Sequence, residues 1–455
     1  MKRFRLLLIA LSLLLAASCG KPMVAQIITT QPGGENNTQL PAVGTYAKEL
    51  LSLPATSRDH YQIYQVNLKL YGNSGAFGKV QARLDDIKAL GTDILYFMPV
   101  YPEGKEKAIG SPYCIRDYKA VNPAFGTLEE LRTLVDAAHA KGMKVMFDWV
   151  ANHTSWDHPW IKEHEEWYEH KADGSIAWPT KDGAWTDVAQ LDFGKKELWK
   201  AMEDALMYWV TELGIDGYRC DYAHGVRDDF WKEAIRELKK LKPGFVMLAE
   251  SDFERMFDDG FDIIFDRAMK RQVMQLVNGG AFSSFCTWYK GDQDKAPAPK
   301  TKLFFITNHD DATTDTPAKQ FKSVDGGLAA YVLMAALNGS SMIYGSQEAA
   351  NNSTINFFNT QNFKWDAQPE FTRRYQEALQ ALAKVNRKGV AKLYESGRVL
   401  FVHYAGEGGS KGSLVAVNLS GSAVEADFPE PVSGKGSIPA KQQFGAYQYQ
   451  IWETE

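Results

Sequence analysis

Four acidic residues stand at or just beyond the ends of apolar segments in this sequence. They are Asp148 in "KVMFDWV", Asp221 after "GYRC", Glu250 closing "FVMLAE" and Asp310 shortly after "KLFFITN". Grouped carboxylates allow two kinds of chemistry. One is metal binding by oxygen ligands. The other is glycosyl transfer, in which one carboxylate attacks an anomeric carbon and a protonated carboxyl group donates to the leaving oxygen. Composition and spacing leave both open.

Basic side chains lie close to these acids in the sequence. Carboxylates on one rim repel one another, so they need cationic neighbours or a shared proton. His153, Arg219 and His309 are each within a few positions of an acid. Arg219 precedes Asp221 by two positions, which places both side chains on the same face of a strand. We therefore expect Arg219 to favour the charged form of Asp221.

The elements that would position these residues show a regular rhythm from about residue 60. Eight short apolar segments have the continuous pattern of strands buried on both faces. They are "YQIYQV", "DILYFMPV", "KVMFDWV", "GYRC", "FVMLAE", "FDIIFD", "KLFFITN" and "SMIYG". Amphipathic helical patterns separate several of them, for example from Leu128 to a C-capping Gly142.

Eight strands that alternate with helices predict an α/β fold, the (β/α)₈ TIM barrel. A doubly wound sheet would need a Gly-rich phosphate turn early in the chain, and the sequence has none. We place the barrel at residues 58–387, with a short insertion at 152–190 after the third strand. A run of strand patterns predicts a C-terminal antiparallel β-sandwich domain at 388–455. The carboxyl ends of barrel strands meet on one rim, so the four acids should converge there.

The N-terminus has the pattern of an export signal. A basic "MKRFR" and an apolar "LLLIALSLLLAA" precede Cys19, and the apolar run is short for a membrane span. Because Cys19 follows small residues, residues 1–19 resemble a bacterial lipoprotein signal peptide. We expect export across the inner membrane and a lipid anchor on Cys19; the alternative is a plain signal peptide. Residues 20–57 are polar and patternless, and they predict a flexible tether.

Composition narrows the classes of partner. The net charge is −5, and no basic block follows the first few residues, so nucleic acid is not indicated. The three cysteines after Cys19 imply no disulfide framework. The 12 Trp and 20 Tyr suit a site that stacks on sugar rings, but they suit a buried core equally well.

Four ordered motifs favour glycosyl transfer. "DWVANH", "GYRCD", "LAESD" and "FITNHD" resemble the motifs of the α-amylase family, glycoside hydrolase family 13. "VAQLDF" and "MIYGSQE" also resemble segments of that family. The resemblance extends over residues 60–350.

The resemblance implies a role for each acid. Asp221 is expected to be the nucleophile that forms a covalent glycosyl-enzyme, Glu250 the acid/base, and Asp310 a third acid that binds sugar hydroxyls. Glu250 must hold a proton near neutral pH, so we expect apolar surroundings and neighbouring acids to raise its pKa.

The same resemblance implies how other residues bind substrate. His153 and His309 correspond to residues that hydrogen-bond the sugar at the point of cleavage, and Tyr113 to the aromatic platform below it. Asp148 is expected to orient Arg219. Further aromatic side chains could line the subsites: Trp149, Trp156, Trp160, Trp178 and Trp185.

Two departures from the family pattern limit the comparison. His224 and Gly225 stand where many α-amylases have Lys-His after the nucleophile, so the preference on the leaving-group side does not transfer. Asn152 matches a calcium ligand, but Gln190 stands where many members have an aspartate. A neutral amide is a weaker ligand for a hard cation. The sequence therefore allows calcium without implying it, and no organic cofactor is expected.

These observations predict a retaining, endo-acting hydrolase of α-1,4-glucosidic bonds in starch, glycogen or maltooligosaccharides. An exo-acting α-glucosidase, a cyclomaltodextrinase and a transglycosylase are alternatives within the family. A glucan-binding protein without catalysis is the alternative from another class. The presence of Asp221, Glu250 and Asp310 argues against it.

Overall fold

A computed structural model describes residues 45–180, 183–406 and 408–454. The predicted signal peptide, with Cys19, and the first part of the predicted tether lie outside these ranges. Within them, no helix is both long enough and apolar enough to cross a membrane.

The described residues form seventeen strands. In chain order they are β1 (Lys48–Leu53), β2 (Gln62–Val66), β3 (Ile94–Phe97), β4 (Lys144–Trp149), β5 (His153–Ser155), β6 (Val188–Gln190), β7 (Gly217–Cys220), β8 (Val246–Ala249), β9 (Ile263–Phe265), β10 (Thr301–Phe304), β11 (Ser340–Tyr344), β12 (Ala391–Ser396), β13 (Val399–Tyr404), β14 (Gly412–Asn418), β15 (Val424–Asp427), β16 (Lys441–Phe444) and β17 (Tyr449–Thr454).

Twelve α-helices lie in the same described ranges. They are α1 (Ala76–Gln81), α2 (Leu84–Ala89), α3 (Leu128–Ala140), α4 (Trp160–Glu163), α5 (Lys196–Leu213), α6 (Asp228–Leu241), α7 (Arg267–Val277), α8 (Phe282–Gln293), α9 (His309–Thr314), α10 (Pro317–Gln320), α11 (Val324–Ala336) and α12 (Pro369–Leu382).

Eight parallel strands close into a barrel in the order β2, β3, β4, β7, β8, β9, β10, β11 and back to β2. Each overlaps one of the eight apolar segments in turn, so the predicted (β/α)₈ barrel is confirmed. Alternate residues point inward, and Tyr96, Met146 and Leu248 belong to one interior cluster. The intervening positions, such as Phe147 and Tyr218, pack with the surrounding helices.

Local signals fix where the helices begin and end. Thr127 and Glu130 form a reciprocal capping box at the start of α3, which satisfies two of its free N–H groups. Helix α5 ends at Gly214, whose φ of 65° is in the left-handed region that glycine adopts without strain. These two helices directly precede β4 and β7, so their ends fix where those strands begin.

The segment between β4 and α5 rises above the carboxyl end of the barrel. In it β5 and β6 pair antiparallel, with His153 opposite Gln190. This pairing places His153, the last residue of the motif "DWVANH", beside Gln190 at the end of the insertion.

The C-terminal strands form a five-stranded antiparallel sheet in the order β1, β12, β13, β14, β17. A two-stranded sheet, β15 with β16, covers one face. The core between them contains Phe401, Phe428, Phe444 and Trp452, while side chains of the opposite face, such as Val402, join the cluster around the barrel. The predicted antiparallel domain is therefore present.

The prediction of a tether over residues 20–57 is wrong for Lys48–Leu53. These residues form β1, which pairs antiparallel with β12 at the edge of the C-terminal sheet. Leu51 and Leu53 are buried in alternation with exposed Ser52, which is the period of a half-buried strand. The C-terminal domain thus takes its first strand from the chain before the barrel.

Candidate active site

The four acids converge at the carboxyl end of the barrel. Asp148 lies in β4, Asp221 and Glu250 directly follow β7 and β8, and Asp310 lies in the first turn of α9 after β10. Asp221, Glu250 and Asp310 line one cavity of about 630 Å³. Tyr113, His153 and His309 also line it, as do Trp185, Tyr222, His224, Arg267, Phe357 and Phe358.

One buried guanidinium group connects three of the acids. The Nη1 atom of Arg219 donates to Asp148 Oδ1 at 2.7 Å and to Asp221 Oδ1 at 3.0 Å. Its Nη2 atom contacts Glu250 Oε2 at 3.0 Å. Arg219 is fully buried, so its charge is weakly screened by water. A single cation therefore offsets part of the repulsion between the two carboxyl groups that flank the cavity.

Asp148 accepts a hydrogen bond from the Arg219 side chain in this arrangement. Both of its oxygens are occupied, because Arg219 donates to Oδ1 while Tyr96 and Tyr113 donate to Oδ2 at 2.5 and 3.0 Å. Asp148 is fully buried and does not line the cavity. Asp148 therefore contacts Arg219, and its predicted role of orienting that side chain stays a prediction.

The protonation of Asp221 is set by opposing effects. Burial raises the pKa of this carboxyl group well above its ordinary value; Arg219 lowers it, and Glu250, Asp148 and Asp310 raise it further. Arg219 lowers the pKa of Asp221, which is the direction that we expected. The other groups outweigh it, because a carboxylate removed from water among other acids is costly. Arg219 is thus the neighbour on which ionisation of Asp221 depends.

The surroundings of Glu250 differ from those predicted. We expected apolar groups and acids, but Oε1 accepts from Arg267 Nη2 at 2.8 Å, and Oε2 accepts from the Tyr222 N–H at 3.0 Å and contacts Arg219. Two guanidinium groups therefore lie against one carboxyl group. Glu250 has the expected acidic neighbour, Asp221, and also a second cation, because Arg267 at the start of α7 reaches it from the next βα unit.

A strained turn directly follows Asp221, the residue predicted to be the nucleophile. Tyr222 has φ of 43° and ψ of 43°, a conformation that residues with a side chain adopt at a cost. This conformation directs its N–H at Glu250. At Gly225 an added Cβ would lie 2.2 Å from the Tyr222 ring and 3.0 Å from Asn152 Oδ1. The glycine that departs from the family pattern is therefore required by close packing.

His309 and Tyr113 form a wall of the cavity. Their rings stack with centroids 5.2 Å apart, and Tyr113 Oη lies 2.8 Å from His309 Nε2. The other nitrogen, Nδ1, faces Gln65 Nε2 at 2.7 Å. Both ring nitrogens of His309 therefore have protein partners. Burial, followed by Arg219, lowers the pKa of His309 well below its ordinary value, so the ring is neutral at neutral pH.

His153 and Asp310 line the same cavity but differ in how exposed they are. Burial lowers the pKa of His153 to about 4, which leaves a neutral ring near pH 7. Asp310 accepts from Asn308 Nδ2 at 3.2 Å, and its side chain is 52% exposed. Both residues therefore line the cavity, and their predicted contacts with sugar hydroxyls stay a prediction.

The aromatic lining was only partly predicted. Of the five tryptophans considered, Trp185 lines the cavity, whereas Trp149 is fully buried and packs against Tyr101 and Tyr118. Trp156, Trp160 and Trp178 are outside the lining. Phe357 and Phe358 were missed; they lie in the loop after β11. The signal for them was two adjacent aromatics just beyond the last barrel strand, where this fold places its site.

A search of the family models matches residues 62–242 to the catalytic domain of α-amylase. A solved α-amylase from Lactobacillus plantarum is similar over 87% of this chain and 99% of that one, with 28% identity and a TM-score of 0.76. The α-amylase MalA of Haloarcula japonica is 26% identical over 70% of this chain and 48% of its own length. An α-1,4-glucan:maltose-1-phosphate maltosyltransferase of Rhodospirillum rubrum is 36% identical over 40% of this chain and 29% of its own.

The fold and the site define a (β/α)₈ barrel with a carboxylate-lined active-site cavity. Together with these similarities they assign the chain to a family: it belongs to the α-amylase family, as the motifs predicted. The matched region spans only about a third of the length of the first curated relatives.

The calcium position that the family resemblance allows does not fit a cation in this chain. Gln190 Nε2 donates to Asn152 O at 3.1 Å, to Asn152 Oδ1 at 3.3 Å and to Leu191 O at 3.0 Å. Asn152 Nδ2 donates back to Gln190 Oε1 at 3.1 Å. The opposite orientation of the Gln190 amide would set its oxygen against two backbone carbonyl oxygens. Oxygens that calcium would need are thus already paired with an N–H₂ group.

Calcium should therefore leave the stability of the wild-type protein unchanged. We expect the same melting temperature in excess EDTA and in millimolar calcium chloride. In Gln190→Glu, a carboxylate would replace the N–H₂ donor, so we expect a loss of about 5 °C in EDTA. Calcium should restore much of it, because the variant gains a charged oxygen ligand. A wild-type melting temperature that falls in EDTA would contradict the amide pairing.

Proposed function

We propose that the protein is a retaining hydrolase of α-1,4-glucosidic bonds in starch, glycogen or maltooligosaccharides. The observation that carries the proposal is the single guanidinium group of Arg219, which contacts Asp221 and Glu250 on the wall of one cavity. Retaining glycosidases have two carboxyl groups about 5–5.5 Å apart, closer together than the pair in inverting enzymes. Two carboxyl groups held by one guanidinium group suit that spacing.

In the proposed mechanism Asp221 attacks the anomeric carbon while Glu250 donates a proton to the leaving oxygen. The glycosidic bond breaks, and the sugar remains bound to Asp221 as an ester. Glu250, now ionised, takes a proton from water, whose oxygen attacks the same carbon and releases Asp221. Asp310, exposed at the cavity surface, would accept hydrogen bonds from sugar hydroxyls. Trp185, Phe357 and Phe358 would supply apolar contact to sugar rings.

Transglycosylation is the second candidate. Its support is the similarity in sequence to two maltosyltransferases, over 40% and 47% of this chain. Both reactions share the glycosyl-enzyme, and they differ in whether water or a sugar hydroxyl accepts the glycosyl group.

One assay separates these candidates. The purified protein is incubated with maltoheptaose, soluble starch, pullulan and cyclodextrins, and in parallel with maltose 1-phosphate plus glycogen. We expect new reducing ends and short maltooligosaccharides from starch and maltoheptaose. Release of phosphate with elongation of glycogen, and no new reducing ends, would replace hydrolysis by transfer. Binding without any product would favour the glucan-binding alternative.

A further inference from the structure

Arg267 is a cavity residue that neither the motifs nor the proposed mechanism uses. It is the first residue of α7 and follows β9. Its side chain is 35% exposed and lines the cavity on the side of Glu250. Arg267 is thus more exposed to solvent than Arg219, which is fully buried.

The two oxygens of Glu250 are held in different ways. Oε2 accepts from the Tyr222 backbone N–H and contacts the buried Arg219. Both of these partners are fixed by β7 and the turn that follows it. Oε1 accepts only from Arg267 among the hydrogen bonds of the described residues. If Glu250 is the acid, its proton must therefore reside on Oε1, the oxygen that Arg267 occupies.

A proton on Oε1 and the N–H of Arg267 compete for the same place, since both are donors. Arg267 has a second partner that lets it leave. Its Nη1 atom is 3.4 Å from Asp252 Oδ2, and its backbone N–H donates to Asp252 Oδ1 at 3.2 Å. Asp252 is more exposed than Glu250, with 44% of its side chain accessible against 14%. The guanidinium group can turn from Glu250 toward Asp252 without losing all ionic contact.

We propose that Arg267 is a positioning residue for the leaving-group side of the cavity. When a glucan enters, the guanidinium group moves from Glu250 Oε1 to Asp252 and donates to hydroxyls of the leaving sugar. Glu250 Oε1 is then free to carry the proton. The inference rests on the proposed function, because the leaving-group side is defined by the acid role of Glu250.

The test compares two substrates with different leaving groups. Maltoheptaose has a leaving sugar that needs a proton, whereas α-maltosyl fluoride releases fluoride, which needs neither a proton from Glu250 nor contact with Arg267. For Arg267→Met we expect kcat/KM on maltoheptaose to fall about tenfold or more, as for loss of a charge-assisted hydrogen bond. On α-maltosyl fluoride it should stay within about twofold of wild type. Arg267→Lys, which keeps the charge, should recover part of the loss.

Arg271→Met is the matched control, because Arg271 lies one turn further along α7 and is exposed; it should leave both rates unchanged. Equal losses on the two substrates in Arg267→Met, or no loss on either, would overturn the role of Arg267 while leaving the hydrolase intact. A wild-type protein that cleaves neither substrate would overturn the proposed function and this inference with it.

Discussion

Asp221→Asn should reduce kcat on maltoheptaose by about 10⁴-fold or more, the scale of loss when a covalent nucleophile is removed. The amide cannot form the glycosyl ester, and it also removes the negative charge that Arg219 Nη1 contacts at 3.0 Å. Because Asp148 and Glu250 remain as partners of Arg219, the buried cation keeps its neighbours and the fold should survive. The rate is measured as the release of reducing ends, with maltoheptaose as the only substrate.

Asp136→Asn is the matched control for this change, because Asp136 is exposed on α3 and does not line the cavity. It should have wild-type kcat and melting temperature. Wild-type turnover in Asp221→Asn, with an unchanged melting temperature, would remove Asp221 from the reaction.

Glu250→Gln should lose about 10³-fold in kcat on maltoheptaose, within the range for general acid–base catalysis. Its kcat/KM on α-maltosyl fluoride should remain within about tenfold of wild type, because fluoride leaves without a proton. Binding of maltoheptaose, measured by calorimetry, should change by about twofold or less, since Gln retains an oxygen that can accept from the Tyr222 N–H.

The difference between the two substrates is the diagnostic quantity in this second variant. Glu197→Gln, an exposed change in the first turn of α5, is the control and should affect neither substrate. Equal loss on both substrates would show that Glu250 acts by charge or structure and not as the proton donor.

The barrel was predictable because each strand is a short apolar run whose character does not depend on its partners. The pairing of Arg219 with Asp221 was predictable for the same reason, since two residues on one strand face share a direction. Asp148 was expected beside Arg219 from the family resemblance, and the structure brings the two together because β4 and β7 are adjacent in the barrel.

What the sequence did not predict depends on contacts between distant segments. Strand β1 pairs with β12, and the whole barrel lies between the two in the sequence. The short alternation of buried and exposed residues in β1 does not by itself indicate so distant a partner. Arg267 reaches Glu250 from the next βα unit, and the sequence of β8 does not indicate this contact. The Gln190 amide pairs with Asn152 across β5 and β6. Gln190 is therefore a hydrogen-bond donor to Asn152, where the sequence suggested only a weak calcium ligand.

The covalent intermediate on Asp221 is the central claim, and one mass measurement tests it directly. Glu250→Gln is mixed with α-maltosyl fluoride, because this variant should form the ester but hydrolyse it slowly, and is then quenched in acid and digested with trypsin. Cleavage after Arg219 and Arg227 gives the peptide "CDYAHGVR", in which Asp221 is the only side-chain carboxyl group. We predict a maltosyl group on this peptide. An unlabelled peptide, together with β-maltose as the first product, would contradict the covalent mechanism.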